Sequence, residues 1–153
     1  MIGMSVSDRY RSRCMVFDEL IIMTERIKND ITYLMLPLGD IFLNIESDGL
    51  CKSLSFLKVF KFRYLSGIDF PGAWSFSVEN SALPLGETEK QRLLQLGLSL
   101  GRSDADIQKS IISVYITYIV GCAETAKRKK EKYSVTAVLC GVLLGGALFI
   151  LFI

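Results

Sequence analysis

Apolar positions along the chain fall mostly at helical spacing, and the strict alternation of a half-buried strand is scarce. After Ser7-Asp8, which can cap a helix, apolar residues recur at Tyr10, Cys14, Phe17, Leu20, Ile21, Met23, Ile27, Ile31 and Leu34. Steps of three and four residues dominate, so these side chains form one stripe on a long first helix running to about Met35. Glu19, Glu25, Arg26, Lys28 and Asp30 lie mostly off that stripe. Pro37 suits a helix start, where a missing N–H leaves nothing unpaired that was paired before. Leu38, Ile41, Phe42 and Ile45 then give the buried face of a short second helix, closed by Ser47-Asp48-Gly49.

Lys52–Leu65 carries Phe56, Val59, Phe60 and Tyr64 at helical spacing, although Phe60, Phe62 and Tyr64 also alternate with Lys61 and Arg63. A lone strand would have no partner, so a helix is expected. Asp69 and Pro71 start a fourth helix with Trp74, Phe76 and Val78, and its large aromatics are expected to fill the core. The aromatic stretch Phe56–Trp74 is also where a groove for a partner helix would lie. Thr88-x-x-Gln91 after Gly86 has the pattern of a capping box, and leads into a helix with Leu93, Leu94, Leu96 and Leu100. Gly97 inside that helix reads as a point of close packing, because glycine otherwise costs a helix interior about 1 kcal/mol against alanine. Gly101 is placed to end the helix in a left-handed conformation. Ser103-x-x-Asp106 starts the next one, with acidic side chains toward its positive end. Ile107, Ile111, Val114, Tyr118, Gly121 or Cys122, and Thr125 give that last helix its expected stripe. Nothing breaks it before the C-terminus, so it is expected to run unbroken from about Asp104 to Ile153.

Residues 134–153 contain no charge, and 20 helical residues at 1.5 Å each cover the roughly 30 Å of a hydrocarbon core. Lys127-Arg128-Lys129-Lys130-Glu131-Lys132 and then Tyr133 precede this run, as expected on the cytoplasmic side of a membrane helix. The chain thus divides into two expected units: a cytoplasmic helical bundle over 1–133 and a C-terminal transmembrane helix over 134–153. Gly141 and Gly145 inside the second unit have the G-x-x-x-G spacing of helix packing in lipid.

Composition narrows the chemistry. Eighteen basic and sixteen acidic residues leave a net charge of +2, too balanced for a phosphate-binding nucleic-acid face. Histidine is absent, which removes His-based acid–base pairs and His metal ligands. Cys14, Cys51, Cys122 and Cys140 include no C-x-x-C pair and read as structural thiols. No G-x-x-x-x-G-K-[ST] loop occurs, and a cap and dipole role accounts for Asp104 and Asp106. The expectation is a non-catalytic protein without a cofactor.

The stretch Leu96-Gly97-Leu98-Ser99-Leu100-Gly101-Arg102-Ser103-Asp104 with Gln108 resembles the most characteristic segment of the stage III sporulation protein AB family. Asp8-Arg9-Tyr10-x-x-Arg13, Pro37-Leu38, the basic run and the terminal apolar helix extend the resemblance over nearly the whole chain. It implies an all-α bundle like the cytoplasmic domain of type II secretion F platform proteins. It further implies a membrane platform of the mother cell–forespore channel, in the mother-cell membrane around the forespore. The expected neighbours are the stage III sporulation protein AA ATPase and other stage III channel proteins, and a homo-oligomer is compatible with such an assembly. Members of that family carry an N-terminal membrane helix, of which the apolar Met1-Ile2-Gly3-Met4 would be the remnant unless a single anchor suffices. Arg102, Asp104, Asp106 and Gln108 are the expected contact residues. Gly97, Gly101 and Ser103 are the expected corner on which they sit. A tail-anchored adaptor using the Phe56–Trp74 groove is the alternative.

Overall fold

The computed structural model describes the backbone of residues 6–151 and the side chains of 6–136, 138–140, 142 and 143. In chain order these residues form α1 (Val6–Asn29), a π-helical turn (Asp30–Leu34), α2 (Leu38–Asp48), α3 (Phe56–Leu65), α4 (Phe70–Glu79), α5 (Glu87–Leu100) and α6 (Ala105–Leu151). No strand occurs among the described residues, so the all-α expectation holds.

α1 and α6 form a long antiparallel pair. Tyr10 stacks on Tyr133 with ring centroids 4.9 Å apart, and farther along Asp18 pairs with Lys127 at 2.9 Å. α1 buries Cys14, Phe17, Leu20, Met23 and Ile27, five of the positions on the expected stripe. α6 answers with Ile112, Tyr115, Ile119, Ala123 and Ala126, at successive steps of three, four, four and three residues. The stripe expected from the sequence is met in part: Ile111, Tyr118 and Cys122 are half-buried against the core, beside the fully buried face. Ile107 and Val114 are exposed, as are Gly121 and Thr125. Residues 111–120 are apolar nearly all round the helix, so several registers satisfy the same spacing. The small side chains of Ala123 and Ala126 decide between them by letting α1 approach.

The short helices pack on this pair around one aromatic cluster. Trp74 is fully buried and meets Phe42 at 5.0 Å and Phe56 at 5.3 Å, centroid to centroid. Phe60 and Phe70 complete its surroundings. Offset and edge-on ring contacts of this kind add about 0.5–1.5 kcal/mol each beyond area burial. The Phe56–Trp74 groove is therefore filled by its own side chains, which corrects the adaptor expectation. Phe62 and Leu65 face outward, and Phe76 lies under the Arg63 guanidinium at 3.7 Å.

Helix ends follow the sequence in part. Gly49 closes α2 at φ 67°, with its N–H donated to the Glu46 carbonyl. Asp69 precedes α4 with extended backbone and Pro71 sits in the first turn. Ser7 and Asp8, read as a cap, lie inside α1. The α-helical part of the first helix ends at Asn29, and its last turn is π-helical. α5 begins one residue before Thr88, so Gly86 is the flanking residue and the Glu89 carboxylate accepts its N–H at 2.7 Å. That contact replaces the expected Thr88–Gln91 box. Helix α6 runs without a break to Leu151. Among the described residues no helix is long and apolar enough to cross a membrane. The transmembrane helix expected over 134–153 falls largely on side chains outside those described. Gly141 and Gly145 lie where only the helical backbone of α6 is described, and Met1-Ile2-Gly3-Met4 lies outside the described residues.

Gly97 and Gly101 give the sharpest local tests. An added Cβ at Gly97 would lie 2.2 Å from two atoms of the Trp74 indole. Helix propensity alone favours alanine there by about 1 kcal/mol, whereas overpacking a closed core costs about 1–3 kcal/mol. Packing wins, so Gly97→Ala is expected to lower Tm by about 2–8 °C. A Cβ at Gly101 would lie 3.1 Å from Phe70 and 3.4 Å from Pro71 at right-handed backbone angles, a milder crowding, so Gly101→Ala is expected to lower Tm less than Gly97→Ala does. Calorimetry that places Gly97→Ala at or above the wild type would contradict the contact with Trp74. A second expectation concerns Cys51, whose thiol is pushed up to about 11 by burial, with Glu19 adding to it. It stays protonated at pH 8, so native protein treated with iodoacetamide should retain an unmodified Cys51, read by peptide mass spectrometry.

Candidate functional site

The corner between α5 and α6 is built by hydrogen bonds that close α5 before α6 begins. Gly101 donates its N–H to the Gly97 carbonyl at 3.0 Å, and Arg102 donates to Ser99 at 3.3 Å. Gly101 keeps φ −66° and ψ −12°, so the expected left-handed conformation is not adopted. Glycine is suited there because a Cβ would crowd Phe70 at 3.1 Å and Pro71 at 3.4 Å, not because of the backbone angles. The Ser103 hydroxyl donates to the Ser99 carbonyl at 2.7 Å, so it satisfies the end of α5 instead of capping α6. A serine hydroxyl that bonds the carbonyl four residues back is a common local alternative to capping the next helix.

Gln108, expected on the contact surface, turns inward. Its side-chain amide donates to the Leu100 carbonyl at 2.8 Å and staples the first turn of α6 to the last of α5. Arg102, Asp104 and Asp106 remain exposed together at the corner. Asp106 meets Lys109 at 3.4 Å, an exposed pair of the kind that contributes well under 1 kcal/mol. Charge at the corner is thus held out to solvent, with little of it consumed by internal pairing.

A second group at the same end was not legible from periodicity. The antiparallel register of α1 and α6 brings the end of the first helix to the start of the last one, and the π turn packs on α6. Asp30 is buried in that turn, held by both carboxylate oxygens to Arg26 Nε at 2.9 Å. Arg26 also reaches Asp48 at the end of α2, at 3.4 Å, and its pKa is raised by the hydrogen bond to Asp30 and by the charge of that carboxylate. The wider π turn carries one extra residue, which rotates the next side chains off the stripe. Tyr33 is 79% exposed, and Leu34, expected on the buried face, is 57% exposed. Met35 is 84% exposed at φ 49°, a left-handed conformation that costs a non-glycine residue roughly 1 kcal/mol or more. Chain distortion and exposed apolar side chains at one place are a usual mark of a contact surface.

The corner end therefore offers a mixed face: three exposed charged residues of α5–α6 beside Tyr33, Leu34, Met35 and Ile107. Among the described residues no group of three or more Cys, Asp or Glu is placed to hold a metal ion. What this face can do is pair with a protein surface of complementary shape and charge. Neither a curated protein nor a solved structure matches the chain. The family model described as stage III sporulation protein AB matches residues 1–153, the whole length, and by that match the chain belongs to the stage III sporulation protein AB family.

Proposed function

We propose that this protein is a non-catalytic membrane platform of the mother cell–forespore channel, coupling the stage III sporulation protein AA ATPase to the membrane assembly. The observation that carries this reading is the unbroken course of α6. One helix starts at the exposed corner, passes the basic run Lys127–Lys132 and enters the uncharged stretch 134–153. That stretch is the membrane anchor in this reading, supported by its length, its basic flank and Tyr133 at its edge. The bundle then lies in the mother-cell cytoplasm. Its corner stands about 45 Å from the lipid, some 30 helical residues away at 1.5 Å each. A soluble ATPase has room to dock at that distance. Likeness to the cytoplasmic domain of type II secretion F proteins belongs to the same proposal.

Two experiments separate the anchor from the docking face. Removing residues 134–153 should move the protein from the membrane pellet to the soluble fraction, and carbonate-resistant membrane association of the shortened form would count against this anchor. Arg102→Glu should leave circular dichroism and membrane fractionation unchanged, because its side chain is exposed. The same variant should co-purify poorly with the ATPase and lower spore formation. If it inserts, folds, retains the ATPase and sporulates normally, the corner is not the docking face.

A further inference from the structure

At the opposite end of the bundle, basic residues from two distant parts of the sequence converge. Asp8–Arg13 and Lys127–Lys132 together hold eight basic and two acidic residues, whereas the whole chain nets only +2. The remainder is therefore net acidic, and the cationic charge is concentrated where α1 starts and α6 approaches its apolar run. Part of it is neutralised: Arg13 pairs with Glu89 at 2.6 Å and Lys127 with Asp18 at 2.9 Å. Arg9 and Lys129 are exposed and make no ion pair among the described residues.

Arg9, Arg13 and Lys129 line one cleft of about 550 Å³. Its other walls are Tyr10, which is stacked on Tyr133, and the apolar loop from Leu83 to Gly86. Arg13 fixes that loop by donating to the Pro84 carbonyl at 2.9 Å while it holds Glu89. The cleft thus combines two exposed cations, Arg9 and Lys129, a third that is pinned by Glu89, and an apolar wall; the Glu89 carboxylate itself lies in the adjoining hollow that Arg13 and Lys129 also line. Guanidinium and ammonium groups converging in this way suit a phosphate oxyanion.

From this geometry we infer that the cleft is a binding site for a phosphate-bearing anion, and that an anionic lipid headgroup is its source. The lipid source rests on the membrane anchor proposed above. Lys129 lies five residues before the uncharged run, about 7 Å along the helix. The headgroup layer on each side of a bilayer is of similar thickness, roughly 5–8 Å. Lys129 and the cleft then sit within the headgroups, with Tyr10 and Tyr133 at the apolar boundary and the Leu83–Leu85 wall available to glycerol and the first methylenes. A site at that depth would orient the bundle about α6, which a single helix crossing the bilayer does not do.

The test uses the full chain in a nonionic detergent. Calorimetric titration with dihexanoylphosphatidylglycerol, against a blank of the same micelles, is compared with titration by inorganic phosphate and by dihexanoylphosphatidylcholine. Phosphatidylglycerol is expected to bind at least tenfold more tightly than the other two. Binding should weaken as salt rises, and the paired change Arg9→Gln with Lys129→Gln should lose it tenfold or more. Arg13 is left in place because its removal would unpin the loop. Inorganic phosphate binding as tightly as phosphatidylglycerol, with the same dependence on Arg9 and Lys129, would keep the anion site and overturn the lipid as its source. No binding, or binding indifferent to the paired change, overturns the site. Because no bilayer is present in the titration, failure of the anchor in membrane fractionation and failure of the cleft are read independently.

Discussion

The indole of Trp74 lies directly on the backbone of α5, and that contact sets the positions of the short helices. The ring occupies the space a side chain at Gly97 would need. Its N–H is shared between the carbonyls of Leu93 at 3.3 Å and Leu94 at 3.2 Å, so the buried polar atom is satisfied by the helix it rests on. The other surfaces of the ring are taken by Phe42 of α2, Phe56 and Phe60 of α3 and Phe70 of α4. One side chain thereby sets the spacing of four helices. It also brings Phe70 and Pro71 against Gly101, which settles where α5 stops and the chain turns into α6.

α5 is tied at both ends. At its start Glu89 accepts from Gly86 and from Arg13 of α1. At its end Ser103 and Gln108 take up the carbonyls of Ser99 and Leu100. The α1–α6 pair and α5 are consequently braced together from the corner to the basic end. In the proposed platform, a displacement imposed at the corner would be carried along α6 as along a rod, since interfaces packed this closely move as units instead of deforming gradually.

Much of this was readable from the sequence, for reasons that can be named. The stripe of α1, the stop at Gly49, a helix within Lys52–Leu65 (observed from Phe56) and the unbroken α6 each rest on local rules, namely period, glycine geometry and the absence of a breaker. Gly97 was legible as a packing point because glycine is unfavourable in a helix without such a reason. The occupant of the space beside it was not legible, since Trp74 is distant in sequence. Gly101 misled because two causes, a left-handed turn and a close neighbour, select the same residue. The α6 face was partly misplaced where apolar residues surround the helix and period loses its power to choose. The π turn escaped because Arg26, Asp30 and Asp48 together hold an extra residue that spacing cannot reveal. The basic cleft escaped because it is assembled from both ends of the chain.

The central claim is that the corner is held at a fixed distance from the membrane by one continuous helix. Bio-orthogonal spin labels at residues 106 and 132 of the full chain, reconstituted in a bilayer, measure it directly by pulsed dipolar spectroscopy. The account predicts a single narrow distribution near 40 Å, the length of about 26 helical residues at 1.5 Å each. A broad distribution, or a maximum well below that distance, would mean that α6 bends or breaks between corner and lipid and would contradict the account.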